Sequence, residues 1–348
     1  MHLLLSRKGQ IILAAGAVCA SILAGCGGSG SASGTAGGPS SLASDNNTAA
    51  KPNFVVSHGP GGVPDLGIGA SLHGKFVFPT DNPWNTPIDT MARDPNSDNI
   101  VANIGLGSHL HPDFGTNPNY GIPYIIVAGS TPKVPMTFMY DDQSDPGPYP
   151  IPSNAPIEGG PSSTDDRHVI VIDRDNWKLY ETWKSKMQGA GWHAGSGAIF
   201  NLASNAVRPA GWTSADAAGL PIFPGLVRYD EIIAGSINHA IRFTVPETRA
   251  GYIYPARHLT GDDTDPNLPP MGMRVRLKAS VNISGYPIQA RIILTAMKKY
   301  GMMVADNGSA WYFQGASDSR WDDDQLDTMK QLTGNDFEVV KMGTVTGP

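Results

Sequence analysis

Cysteine is almost missing from this sequence: there are 2 among 348 residues, at positions 19 and 26. Downstream of Cys26 there is no thiol, which excludes disulfides, thiolate catalysis and cysteine-ligated zinc there. Charge is scarce too, at 16% against roughly a quarter in ordinary globular chains. The 25 Lys and Arg against 31 Asp and Glu leave a formal charge of -6, which gives no general basis for nucleic-acid binding. No glycine-rich phosphate loop, dinucleotide fingerprint, Gly-x-Ser-x-Gly elbow or His-Glu-x-x-His helix occurs. Turn chemistry is what abounds: 41 Gly and 29 Pro disfavour a helical bundle and suit a turn-rich β protein.

Arg7 and Lys8 precede an apolar stretch, residues 11–23, too short for an ordinary membrane span. Leu23-Ala24-Gly25-Cys26 then resembles the lipobox of bacterial lipoproteins. That resemblance implies removal of residues 1–25 as a signal peptide and lipidation of Cys26. The protein would then sit in the cell envelope, on the outer membrane or cell surface, with the membrane as one partner. Residues 26–50, rich in Gly, Ser, Ala and Asn, are expected to be a flexible tether. Residues 51–348 are expected to form a single globular β-rich domain, long enough to bury a core.

Short β-rich runs separated by Pro and Gly clusters lie at 124–127, 134–140, 168–173, 177–182, 197–202, 241–245 and 273–277. Residues 168–173 are apolar on both alternating faces and predict a central strand. A turn at Arg174-Asp175-Asn176 should return the chain antiparallel. Ile288, Ile292, Ile293, Ala296, Met297 and Tyr300 share one face of a predicted helix that Gly301 ends. Residues 322–332 and the turn from Ser214 are weaker helical candidates. The expected fold is mainly β, a β-sandwich or jelly-roll-like arrangement of antiparallel sheets with two or three packed helices.

Several polar clusters carry the chemistry. Arg208 and Trp212, in a Pro- and Gly-rich loop, suit a platform for a sugar face, or equally a structural loop whose Trp plugs the core. Arg228-Tyr229-Asp230-Glu231 precedes a strand on which His239, Ile241 and Phe243 point one way and Arg242 the other. His239 there is either a satisfied core residue or a tuned acid–base group. Glu158 and the run Asp165-Asp166-Arg167-His168 place acid and imidazole at a strand mouth. Arg257 and His258 form a further basic pair, and Arg274, Arg276 and Lys278 alternate with apolar residues as an edge strand or a basic stripe. Asp306, with Trp311 close by, ends a strand as a sugar-binding corner or simple turn chemistry would. His109 and His111 with Asp113 make only a weak metal pattern. No metal and no cofactor is expected.

The runs at 78–85, 145–152, 208–221 and 306–311 resemble a widespread group of secreted bacterial and fungal proteins, known mainly as hypothetical proteins. The resemblance implies an extracellular domain and transfers no catalytic residue. From the residues themselves, the leading expectation is a surface-anchored enzyme that degrades a polysaccharide, by hydrolysis or by β-elimination. His239, Glu158, Asp166, His168 and Asp230 are its catalytic candidates. Arg208, Trp212, Arg242, Arg257, His258, Asp306 and Trp311 are its substrate-binding ones. The alternative is a non-catalytic glycan-binding or envelope-structural lipoprotein, which needs no tuned acid or base.

Overall fold

The structure, a computed structural model, describes residues 61–347. The signal segment, Cys26, the tether and the first residues of the expected domain lie outside them. Within the described residues the protein is mostly sheet. Three sheets and four α-helices form, Ser97–Gly105, Tyr229–Ala234, Ile288–Lys299 and Asp323–Asp327.

The five-stranded sheet runs, in spatial order, Gly67–Ile68, Tyr124–Val127, Val169–Asp173, Lys178–Trp183, Ser196–Asn201. Val169–Asp173 is central, as its two apolar faces predict. Ile170 and Ile172 enter the main core, while Val169 and Val171 pack with Tyr149 and Trp192 on the other side. The turn after it is built by Asp173, whose carboxylate accepts from the backbone and side-chain N–H groups of Asn176 at 3.0 and 2.8 Å.

The six-stranded sheet is ordered Phe337–Val339, Arg274–Leu277, Met302–Asn307, Ile241–Val245, Tyr312–Gln314, His111–Asp113. The expectation of purely antiparallel sheets needs correction, because all three sheets are mixed. Ile241–Val245 pairs parallel with Met302–Asn307, and the long connection between them carries the Ile288–Lys299 helix. Hairpin-style turn signals do not report such crossovers.

That helix spans the predicted residues and buries Ile292, Ile293, Ala296 and Met297. Ile288, expected on the same face, is instead 41% exposed at the first turn. Placing Asp at Ile292 strands a charge in the core and should cost several kcal/mol, read as a lower melting temperature. An unchanged melting temperature would show that this face carries no packing load.

The helix expected from Ser214 does not form. Ser214 Oγ accepts from the Asp216 N–H at 2.9 Å, and Asp216 Oδ1 accepts from the Ala218 N–H at 3.0 Å. These side-chain bonds compete with the helical ladder. Gly219 follows at φ +68°, where an added Cβ would also meet the Trp212 carbonyl oxygen at 2.5 Å. The knotted loop that results fixes Asp216 in place.

Candidate functional site

The register of the six-stranded sheet sorts its side chains into two faces. Phe243 lies opposite Phe313 and Val304, and all three are fully buried in the main core. The other face is polar. Thr244 lies opposite Tyr312, so Arg242, two residues back, lies level with Gln314. Tyr312 and Gln314 in turn lie beside His111 and Asp113.

Asp306 reaches this face through an irregularity. Phe243 pairs with Val304, but the next residue, Thr244, pairs with Asp306, which leaves Ala305 extra. In a regular strand Asp306 would share the core-facing side of Val304. The bulge turns it toward Arg242 instead.

Arg242 is the centre of the cluster. It is 1% exposed, and one of its nitrogens donates to Asp216 Oδ2 at 2.7 Å. Its Nε and Nη1 have no partner among the described residues, and neither does Gln314 Oε1. The charges of Asp216, Asp306 and Glu158 all act on Arg242. Burial and the neighbouring Asp216 push the Asp306 carboxyl up to about 7, against the pull of Arg242. Asp306 nonetheless keeps partial exposure. Burial likewise raises Asp113 and Asp216.

His168 enters from the start of the central strand. Its Nδ1 lies 2.5 Å from Glu158 Oε2 and its Nε2 3.0 Å from the Ala215 carbonyl oxygen. Both ring nitrogens face acceptors, so both carry protons and the ring is an imidazolium. Burial opposes that charge, but Glu158 outweighs it and raises the imidazole to about 9. A group engaged in this way is a fixed cation rather than a base. Glu181 completes the interior, accepting from the Ile222 and Phe223 N–H groups at 2.8–3.0 Å, with burial raising it to about 7.

These shifts set a pH dependence. His168 is raised from 6.5 to about 9, so its contribution is complete below pH 6.5 and lost as pH rises through 9. Glu181 and Asp306 rise from 4.5 and 3.8 to about 7, so the native state holds extra protons between those values and stability again falls with rising pH. His111, lowered to about 4 by burial first and Lys330 second, opposes this only up to pH 6.5. Stability should therefore fall between pH 6.5 and 9 by on the order of a few kcal/mol, read as a lower melting temperature. His168→Gln should flatten that slope, and an equally steep slope in the variant would contradict the assignment.

The structure brings together Glu158, His168, Arg242 and Asp306 among the residues expected from sequence. Asp166 stands at the edge, half-exposed, accepting from the Trp183 indole N–H at 2.9 Å while its charge acts on His168. His239 does not sit with Glu158 or Asp166: its Nε2 lies 2.9 Å from Glu231 Oε1, in a second cluster with Arg228. Asp230 is there too, accepting from the Leu72 N–H at 2.8 Å and lying 3.7 Å from Arg228 Nε.

The expected sugar platforms need correction where they are buried. Trp311 is fully buried between Phe243 and Phe337, its indole N–H donating to the Gly105 carbonyl, so it offers no face to a ligand. Arg208 is buried and bonded to Asp145, Gln143 and Thr213, which makes it a loop clamp. Trp212 lies half-buried against it. Arg257 donates to the Arg208 carbonyl at 2.9 Å, and His258 Nδ1 lies 2.8 Å from that of Ala217.

The basic stripe is no stripe, because Arg274 and Arg276 turn to backbone carbonyls and Glu338. His111 stacks on Tyr312 while His109 bonds Lys330. Among the described residues no group of three or more His, Cys, Asp or Glu is placed to hold a metal ion.

Asp216, Glu181 and Gln314 join the site beyond the residues expected from sequence. The alternation Tyr312-Phe313-Gln314, polar–apolar–polar, is the sequence signal by which Gln314 can be placed on the face of Tyr312. No family model matches the chain, and no curated protein or solved structure matches it either.

Proposed function

We propose that the chain is a surface-anchored extracellular enzyme that cleaves a polysaccharide at the polar face around Arg242. The observation that carries this reading is Asp306: a carboxyl raised to about 7 by burial, on a residue that is not itself fully buried, beside carboxylates neutralised by Arg242 and His168. Glycoside hydrolysis needs one carboxyl that holds its proton near neutral pH and one that does not. Asp306 serves as the general acid, and Glu158, ion-paired with His168, as the carboxylate. Arg242, 1% exposed, holds the charges of this face in place from beneath rather than meeting the sugar. Hydrolysis is favoured over elimination because His168 has no free nitrogen to act as a base.

The same reading includes a sandwich-like, jelly-roll-like packing of the two larger sheets, membership of a secreted bacterial and fungal family, and a lipid anchor at Cys26 in the cell envelope. A second reading is a glycan-binding protein without catalysis, with the half-buried Trp212 ring as its sugar platform.

A panel of neutral and acidic polysaccharides separates these outcomes. Hydrolysis releases reducing ends without unsaturated-product absorbance, and elimination gives both. A protein that cleaves nothing yet is retained on a glycan affinity gel is the binding protein of the second reading.

A further inference from the structure

A concave site stands apart from the Arg242 cluster. It is a pocket of about 500 Å³ bordered by Arg257, Arg274 and Lys341, with Tyr252, Tyr254 and Met342 among its apolar walls. No Asp or Glu lines it, in a chain whose formal charge is -6. The local charge is thus reversed against the whole.

Arg274 is the unusual member. Its terminal nitrogens donate to the carbonyls of Pro83, Thr86 and Tyr300, and no carboxylate pairs with it among the described residues. Its Nε is buried without a partner. Every other deeply placed arginine described above has an acid: Arg208 has Asp145, Arg228 has Glu231 and Arg242 has Asp216. A buried cation without a counter-ion is costly, and burial alone pulls the Arg274 guanidinium down to about 10. The pocket that Arg274 lines leaves room for an acid from outside the chain.

We propose that this pocket binds a small organic carboxylate with an apolar or aromatic body, its carboxylate at Arg274 and its body against Tyr252, Tyr254 and Met342. A carboxylate lying against the guanidinium from the pocket side supplies the counter-charge that Arg274 lacks. Arg257 and Lys341 add attraction at the rim. The volume lies within the range of small-molecule sites and exceeds what a bare inorganic anion fills. Tyr254, 53% exposed, is a ready cover for a flat ligand face.

Phenylacetate, its neutral isostere phenylacetamide, galacturonate and inorganic phosphate, each titrated by calorimetry into the full chain, test this. Phenylacetate should bind at least ten-fold more tightly than each of the others and should raise the melting temperature. Arg274→Gln should weaken it at least ten-fold. Because that change also frees three carbonyls, Tyr254→Ala and Lys341→Ala, both at exposed positions, serve as second variants and should each weaken it several-fold. Equal binding of the amide removes the role of the charge, and equal binding of phosphate or galacturonate removes the role of the apolar body. No binding of phenylacetate, or binding unaffected by all three variants, overturns the site itself. None of these results depends on whether the Arg242 face cleaves a glycan.

Discussion

Arg242→Met is expected to destabilise the folded domain by about 3–5 kcal/mol, the usual consequence of removing one partner from a buried ion pair. Asp216 has a fully buried side chain and takes its strongest contact from Arg242 at 2.7 Å. Without the guanidinium it sits beside the charges of Asp306 and Glu181 with the Ala218 N–H and the His168 imidazolium left against them. Denaturant unfolding reads the loss as a lower midpoint. Adding Asp216→Asn to Arg242→Met should restore part of it, since the stranded charge is then gone. A single variant as stable as the parent would show that the pair is not the electrostatic centre of this face.

Asp306→Asn is expected to lower turnover of a cleaved glycan by 10²–10⁴-fold, the usual worth of a general acid. The amide keeps the shape of the side chain but cannot deliver a proton. Stability should hold or rise slightly, because the ionised form of a carboxyl raised to about 7 is itself unfavourable in this setting. Reducing-end release with purified variants measures the first effect and thermal unfolding the second. His239→Ala is the informative companion, since His239 lies with Glu231 in the other cluster. Loss of activity there, with Asp306→Asn silent, would move the chemistry to the Arg228–Glu231–His239 group.

Local elements were legible where one short stretch decides them. Residues 124–127 and 241–245 form strands at the expected bounds, and the helix at Ile288–Lys299 follows its apolar period. The chain turns after residue 173 as expected, but the carboxylate that holds the turn is that of Asp173, while Asp175 reaches the Gly129 N–H. The helix at Ser97–Gly105 was not anticipated: only Ser97, Ile100, Val101 and Ile104 are buried, and Asn96 makes no side-chain cap. The run from Ser214 looked helical, but hydrogen bonds within the loop outweighed propensity.

The site was legible in part, and the reason lies in register. Alternation placed Arg242 opposite in direction to Phe243, which holds in the fold. What alternation cannot supply is the identity of the neighbouring strand. Gln314 and Asp113 share the face of Arg242 through partners 72 and more than a hundred residues away in sequence. Asp306 points there only because Ala305 is extra in its pairing, a displacement set by the strand alongside. Trp311 illustrates the converse. It adjoins the polar turn at Asn307-Gly308-Ser309, yet its ring stacks inside the core on Phe243 and Phe337. Burial of a large aromatic depends on what lies across the sheet, and nothing local reports that.

The pH dependence of kcat/KM on a glycan that the protein cleaves tests the catalytic account most directly. A general acid that loses its proton near pH 7 predicts a rate that is high on the acidic side and falls as pH rises through about 7. Asp306→Asn should remove that descending limb together with most of the rate. A rate that instead climbs through pH 7, or a descending limb that survives in Asp306→Asn, would contradict the assignment of Asp306 as the acid.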